Sequence, residues 1–219
     1  MNLERAFRLL PALIVLAAPL ALAAPARAQE RTAEPPARWV PLSGFGMTIA
    51  AGGGVTDFTS AGAREVTDVG GSWDVRFAFR TRRVVGFEVS YIGGANVVHS
   101  LGLDTSQTKL IRNGIEGMVR INAPLRRGGG TLLEPYAAAG LGWNGYRITN
   151  VDSETASVSP SGQSMLALPL AAGFAAGYKG FVADVRATFR PTAGQTTLRG
   201  EGTGALTNWD VGGMVGFEF

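Results

Sequence analysis

The stretch from Leu206 to Phe219 reads LTNWDVGGMVGFEF, and its alternation decides the fold. Taking every second residue, Trp209, Val211, Gly213, Val215, Phe217 and Phe219 share one face, and Asn208, Asp210, Gly212, Met214, Gly216 and Glu218 share the other. A period of two is the signature of a β-strand. The run outlasts the usual strand of about five or six residues and approaches what a tilted strand needs to cross a bilayer.

Composition agrees with many closely packed strands. Of 219 residues, 46% are hydrophobic, 17% are charged and 31 are glycine, with no long apolar run in the body of the chain. There is no cysteine, which excludes disulfides, thiolate metal sites and a cysteine nucleophile. A single histidine, His99, leaves little material for a zinc site or a histidine relay. No residue pattern calls for a cofactor, a metal or a catalytic constellation.

Residues 1–28 have the layout of a secretory signal: Arg5 and Arg8, a Leu/Ala run from Leu9 to Ala24, and Ala26-Arg27-Ala28 as the cleavage site. Removing them takes Arg5, Arg8, Arg27 and Glu4, so 20 basic and 17 acidic residues become 17 and 16, a net charge of +1. The sequence pI of about 9.7 therefore does not describe the mature chain, and nucleic-acid binding has no electrostatic support. Residues 29–43 are polar and proline-rich, the composition of a tail leading into a domain that spans 44–219.

That domain repeats one format, with strands expected at 44–57, 71–81, 84–95, 109–122, 132–147, 164–178, 180–190 and 206–219. Thr59–Gly70, Asn96–Thr108, Asn150–Gln163 and Pro191–Ala205 are long polar connectors. Thr81-Arg82-Arg83 and Lys179-Gly180 are tight turns, and Ala123–Thr131 is intermediate. Long and short connectors alternating over an even number of strands place both termini on the short-turn side. The most helix-like run, Met165–Gly177, is too short to span as a helix and contains Pro169. The fold class is all-β, an eight-stranded antiparallel up-and-down barrel.

Side-chain size tells which face looks where. One parity carries Trp73, Val75, Phe77 and Phe79; Val85, Phe87, Val89 and Tyr91; Ile111, Ile115, Val119 and Ile121; Leu166, Leu168, Leu170 and Phe174; and Phe181, Val185 and Phe189. The other mixes Gly46, Thr48, Ala50, Gly52, Ala78, Gly86, Ser90, Gly114, Ala138, Gly140 and Gly142 with charges. Tiny residues suit the narrow lumen of an eight-stranded barrel. The charges on that parity are Asp74, Arg76, Arg80, Glu88, Arg112, Glu116, Arg120, Glu134, Asp184, Arg186, Arg190, Asp210 and Glu218, six arginines against seven carboxylates. An arginine facing lipid at mid-membrane would cost about 2–4 kcal/mol, which fits their absence from the apolar parity. Arginine also suits bidentate pairing in a confined space. Hairpin symmetry about Arg82 sets Arg76 opposite Glu88, and the last loop brings Arg186 near Asp210. The expectation is a lumen plugged by Arg–carboxylate pairs.

The aromatics form two sets. Trp73, Tyr91, Trp143, Phe189 and Trp209 fall near the long-loop end; Phe45, Phe79, Phe87, Tyr178, Phe181, Phe217 and Phe219 fall near the short-turn end. Two belts flanking an apolar band of about 25 Å match the two interfaces of a bilayer.

The signal segment, the tail, the eight strands and the terminal Phe219, with the phrases Pro135-Tyr136-Ala-Ala-Ala-Gly140-Leu-Gly142 and Leu168-Pro169-Leu-Ala-Ala-Gly173, resemble the small OmpA/OmpX-type outer-membrane barrels, the "outer membrane protein β-barrel domain" family. The resemblance implies the outer membrane as location, its lipids and the barrel-insertion machinery as partners, Phe219 as part of the insertion signal, and a monomer. With no motif for chemistry in the chain, the reading that remains is a structural or surface-interaction role rather than an enzyme. An OmpW-like passage for small apolar solutes is the alternative, for which Ile92, Leu110 and Met118 on the inner parity speak. A lipid A-modifying acyl hydrolase or transferase would use His99 with Ser100 and Asp104. Adjacent strand residues point to opposite faces, and Leu101 stands where the deacylase-like H-x-S spacing needs serine.

Overall fold

The computed structural model describes residues 45–81, 84–98, 108–123, 125–126, 131–149, 163–193 and 206–219. The expected signal segment (1–28), the tail (29–43), His99, Ser100 and Asp104 lie outside the described residues, as do the side chains of Phe45 and Arg80.

The strands are β1 (Phe45–Phe58), β2 (Gly70–Thr81), β3 (Val85–Val97), β4 (Lys109–Asn122), β5 (Leu125–Arg126), β6 (Thr131–Thr149), β7 (Gln163–Ala167), β8 (Leu170–Tyr178), β9 (Phe181–Arg190), β10 (Thr192–Ala193) and β11 (Asn208–Glu218). Every pairing is antiparallel, and the order β10-β7-β6-β4-β3-β2-β1-β11-β9-β8, with β8 also on β6, closes the sheet on itself. The result is an eight-stranded closed barrel, as the alternation predicts. β7 and β8 are one barrel strand interrupted at Leu168-Pro169, and β9 and β10 are one interrupted at Pro191. Proline has no N–H to give to a ladder, so both neighbouring strands break at the same height. The gap is stitched by Leu168 N–H donating to Pro191 O (2.9 Å) and Gly140 N–H to Pro169 O (3.0 Å).

β1 and β11 close the barrel from Thr48↔Glu218 to Phe58↔Asn208. The pairing extends to the last residue, with Phe219 N–H donating to Met47 O at 2.8 Å. Between β8 and β9 the turn is Lys179 (φ 48°) and Gly180 (φ 88°). Two consecutive positive φ values make the hairpin turn whose twist matches the strands, and glycine takes the second without strain.

One element departs from the expected polar loop after β1: α1 (Ala61–Val66) folds there. Thr67 ends it by donating both its N–H (2.9 Å) and its hydroxyl (2.7 Å) to Ala63 O. Ala63 is buried with Phe58, Val98, Leu110, Tyr146, Met165 and Leu206, so the long-loop end of the interior is apolar.

The barrel is inverted relative to a water-soluble one. Phe77, Phe87, Val89, Ile115, Leu141, Phe174, Phe181 and Val185 are exposed on the outside, while Arg76, Glu88, Glu116, Arg120, Asp184, Arg186 and Arg190 are buried inside. Among the described residues no helix is long and apolar enough to cross a membrane. The strands supply the apolar band.

The lumen as candidate functional site

Inward residues come from every second position of each strand, so the interior is a stack of side chains fixed by register. Nearest the apolar long-loop end, Asn208 accepts from Arg112 Nη1 and donates to Tyr146 Oη at 3.1 Å. One layer in, Arg190 grips Glu116 with two parallel bonds, Nε to Oε1 at 2.6 Å and Nη2 to Oε2 at 3.0 Å. Its remaining Nη1 pairs with Asp210, which also lies 3.8 Å from Arg112 Nη2. This is the fork geometry that arginine offers and lysine does not.

The middle of the lumen is built around Tyr136. Its hydroxyl donates to Asp184 Oδ1 (2.7 Å) and accepts from Arg186 Nε (2.9 Å). The Arg120 guanidinium lies 3.4 Å from the ring centroid. Arg186 Nη2 reaches Glu88 Oε1 at 2.5 Å, and Arg120 lies between Asp184 (3.5 Å), Glu88 (4.0 Å) and Glu134 (3.9 Å). Arg76 joins from β2, pairing with Asp74 at 2.6 Å and Asp184 at 3.4 Å, with Nε donating to Ser90 Oγ at 3.3 Å. The tyrosine ring fits because its cross-strand neighbour is Gly173, where a Cβ would collide with the ring.

Two expected pairs are not formed. Arg76 sits opposite Ser90, and Glu88 opposite Ala78, so Glu88 is left to Arg186 and Arg120. Arg186 sits opposite Gly212, while Asp210 faces Thr188 and pairs with Arg190. In both hairpins the register differs by two residues from simple loop symmetry. A shift of two preserves the face and changes the partner. Glu134 is buried in the network, whereas Glu218 is half-buried at the short-turn end. Tyr136 stands at the centre of the site although the charges alone do not point to it. Its signal is an aromatic on the lumen parity next to the small residues Ala138, Gly140 and Gly142. Ile92, Leu110 and Met118 are all buried. Among the described residues no cluster could hold a metal.

On the outside, Tyr91 pairs across to Ile115 and Ile115 to Trp143, and Phe189 pairs to Trp209, all near the long-loop end. Trp73 lays its indole across Gly93 of the next strand. At the other end Phe79 pairs with Phe87, and Tyr178 and Phe217 both flank Phe181. There the rings of Phe181, Phe217 and Phe219 meet edge-on at 5.4 and 5.3 Å.

No family model matches the chain, and no curated protein sequence matches it. Solved structures do match. Neisserial surface protein A (NspA) superposes with a TM-score of 0.56 at 15% identity, covering 81% of this chain and 98% of its own. OprG, an outer membrane protein of Pseudomonas aeruginosa, gives 0.52 at 15%, covering 80% and 96%. The chain folds as a small outer-membrane β-barrel. Ail, the attachment invasion locus protein of Yersinia pestis, in complex with the heparin analogue sucrose octasulfate, has the same architecture, with a TM-score of 0.51 at 11% identity over 80% and 99% of the two chains. At these identities the shared property is the fold.

Proposed function

We propose that the chain is an integral outer-membrane protein with a structural or surface-interaction role, its lumen plugged and its long loops exposed outside. In this reading residues 1–28 are removed on export and 29–43 form a periplasmic tail. Phe219 belongs to the signal read by the insertion machinery, and the folded protein is a monomer surrounded by outer-membrane lipid. The observation that carries the plug is the stack of buried ion pairs from Arg112 and Asp210 through Arg190–Glu116 to Arg186–Glu88 and Arg120–Asp184, backed by the apolar cluster under α1. Desolvated charges held in such pairs are costly to part, so water and ions find no continuous path. The apolar end of the lumen is filled by Phe58, Leu110, Met165 and Leu206 themselves, which favours a sealed barrel over passage of small apolar solutes. No enzymatic role is assigned.

Reconstitution in planar bilayers tests the plug. The expected record has no unitary conductance steps with the folded protein inserted. Stable steps that scale with the amount of protein would overturn it.

A further inference from the structure

Among the described strand residues the outer wall is almost free of charge, and two of its exceptions are neighbours. Among the described strand residues at the long-loop end, the outward parity carries Asp57, Lys109 and Arg147. Asp57 is buried, accepting from Phe58 N–H at 2.8 Å and lying 3.7 Å from Arg64. Lys109 and Arg147 are both exposed, and no described carboxylate pairs with either.

The two cations are neighbours. β4 and β6 pair with Lys109↔Thr149 and Ile111↔Arg147, which makes Lys109 and Arg147 diagonal partners on one face, with Cα atoms roughly 7–8 Å apart. Their position relative to the aromatic belt is fixed by the same strand. Arg147 lies four residues beyond Trp143, roughly 13 Å along the strand and about 10 Å along the membrane normal at a tilt of about 40°. Trp143 is 63% exposed and marks the interface. Below the pair, Tyr91 Oη donates to Asn113 Oδ1 at 3.0 Å, a polar rung just above the apolar band. Two long cationic side chains set one head-group layer above an interfacial tryptophan, on a wall whose other charge among the described strand residues at that end is the buried Asp57, match a phosphate.

We infer that Lys109 and Arg147 form a binding site on the barrel's outer wall for the phosphate of a lipid head group in the outer leaflet. The inference rests on the membrane reading proposed above. A phosphate there bridges the ammonium and the guanidinium, while its acyl chains run down over Ile115 and Trp143. The site fixes an anionic lipid to one side of the barrel, the β4–β6 side.

Trp143 is the natural reporter. The mature chain (29–219) carrying Trp39→Phe, Trp73→Phe and Trp209→Phe is refolded into vesicles of phosphatidylcholine and phosphatidylglycerol, with bromine placed on the acyl chains of one lipid at a time. Its folding is checked by the gel shift on boiling. Quenching of Trp143 then gives the relative occupancy of the two lipids beside it. The expected preference for the phosphatidylglycerol is about fivefold for each cation and about thirtyfold for the pair, weakening with salt. Lys109→Gln with Arg147→Gln brings the ratio to about one while the gel shift persists. A ratio of one in the unsubstituted pair, or a preference the double variant keeps, would overturn the site and leave the membrane barrel standing. Absence of quenching by either lipid would overturn both.

Discussion

Replacing Glu116 with alanine tests the interior most sharply. Glu116 is fully enclosed, and its two oxygens take both parallel bonds from Arg190 at 2.6 and 3.0 Å. Truncation leaves Arg190 with Asp210 alone, a carboxylate that Arg112 also approaches at 3.8 Å. Removing one partner of a buried pair costs about 3–5 kcal/mol, and the remaining Asp210 contact places Glu116→Ala at the lower end, about 3 kcal/mol. With a urea dependence of about 2–3 kcal/mol per molar, the unfolding midpoint falls by about 1–1.5 M. The assay is urea unfolding in lipid vesicles followed by tryptophan fluorescence. Adding Arg190→Ala recovers part of the loss, because the stranded cation goes with it, and the cycle of single and double variants reports the coupling. A Glu116→Ala midpoint within about 0.2 M of the parent would refute the reasoning, since it would mean that water already solvates Arg190.

Other outcomes follow from the same geometry. Val185, 61% exposed on the outer face, becomes costly as arginine: Val185→Arg loses about 2–4 kcal/mol in vesicles, read by the same urea titration. Tyr136→Phe removes the hydroxyl shared by Asp184 and Arg186 and costs about 1–3 kcal/mol, which equilibrium unfolding measures. Gly173→Ala forces the Tyr136 ring to move and costs about 1–3 kcal/mol, and in a Tyr136→Ala background the Gly173 change costs less but not nothing, because the new Cβ still meets Val185 O at 2.6 Å.

The parity of each strand was legible because it depends only on counting by two. Arg76 faces inward whether its neighbour is Glu88 or Ser90. Which carboxylate it meets depends on the register, set by how many residues the connection spends, and alternation is blind to a shift of two. The same blindness hid Asp184 as the common partner of Arg76, Arg120 and Tyr136, because these contacts cross the lumen between strands that are not neighbours. The interruptions at Pro169 and Pro191 have a plain local cause, yet the sequence does not say that they fall side by side. α1 hides in a stretch with loop composition, since Ala61–Val66 is too short for a helical period to show. Its anchor, Ala63 against Phe58 and Leu206, is a tertiary contact.

All of these effects presuppose a wall whose oily side chains meet lipid. The mature chain, diluted from urea into buffer with or without vesicles and run unheated and boiled on a detergent gel, puts that to the test. A faster-migrating, protease-resistant band that arises only with vesicles and disappears on boiling is the predicted result. A folded monomer in plain buffer, without lipid or detergent, would contradict the account.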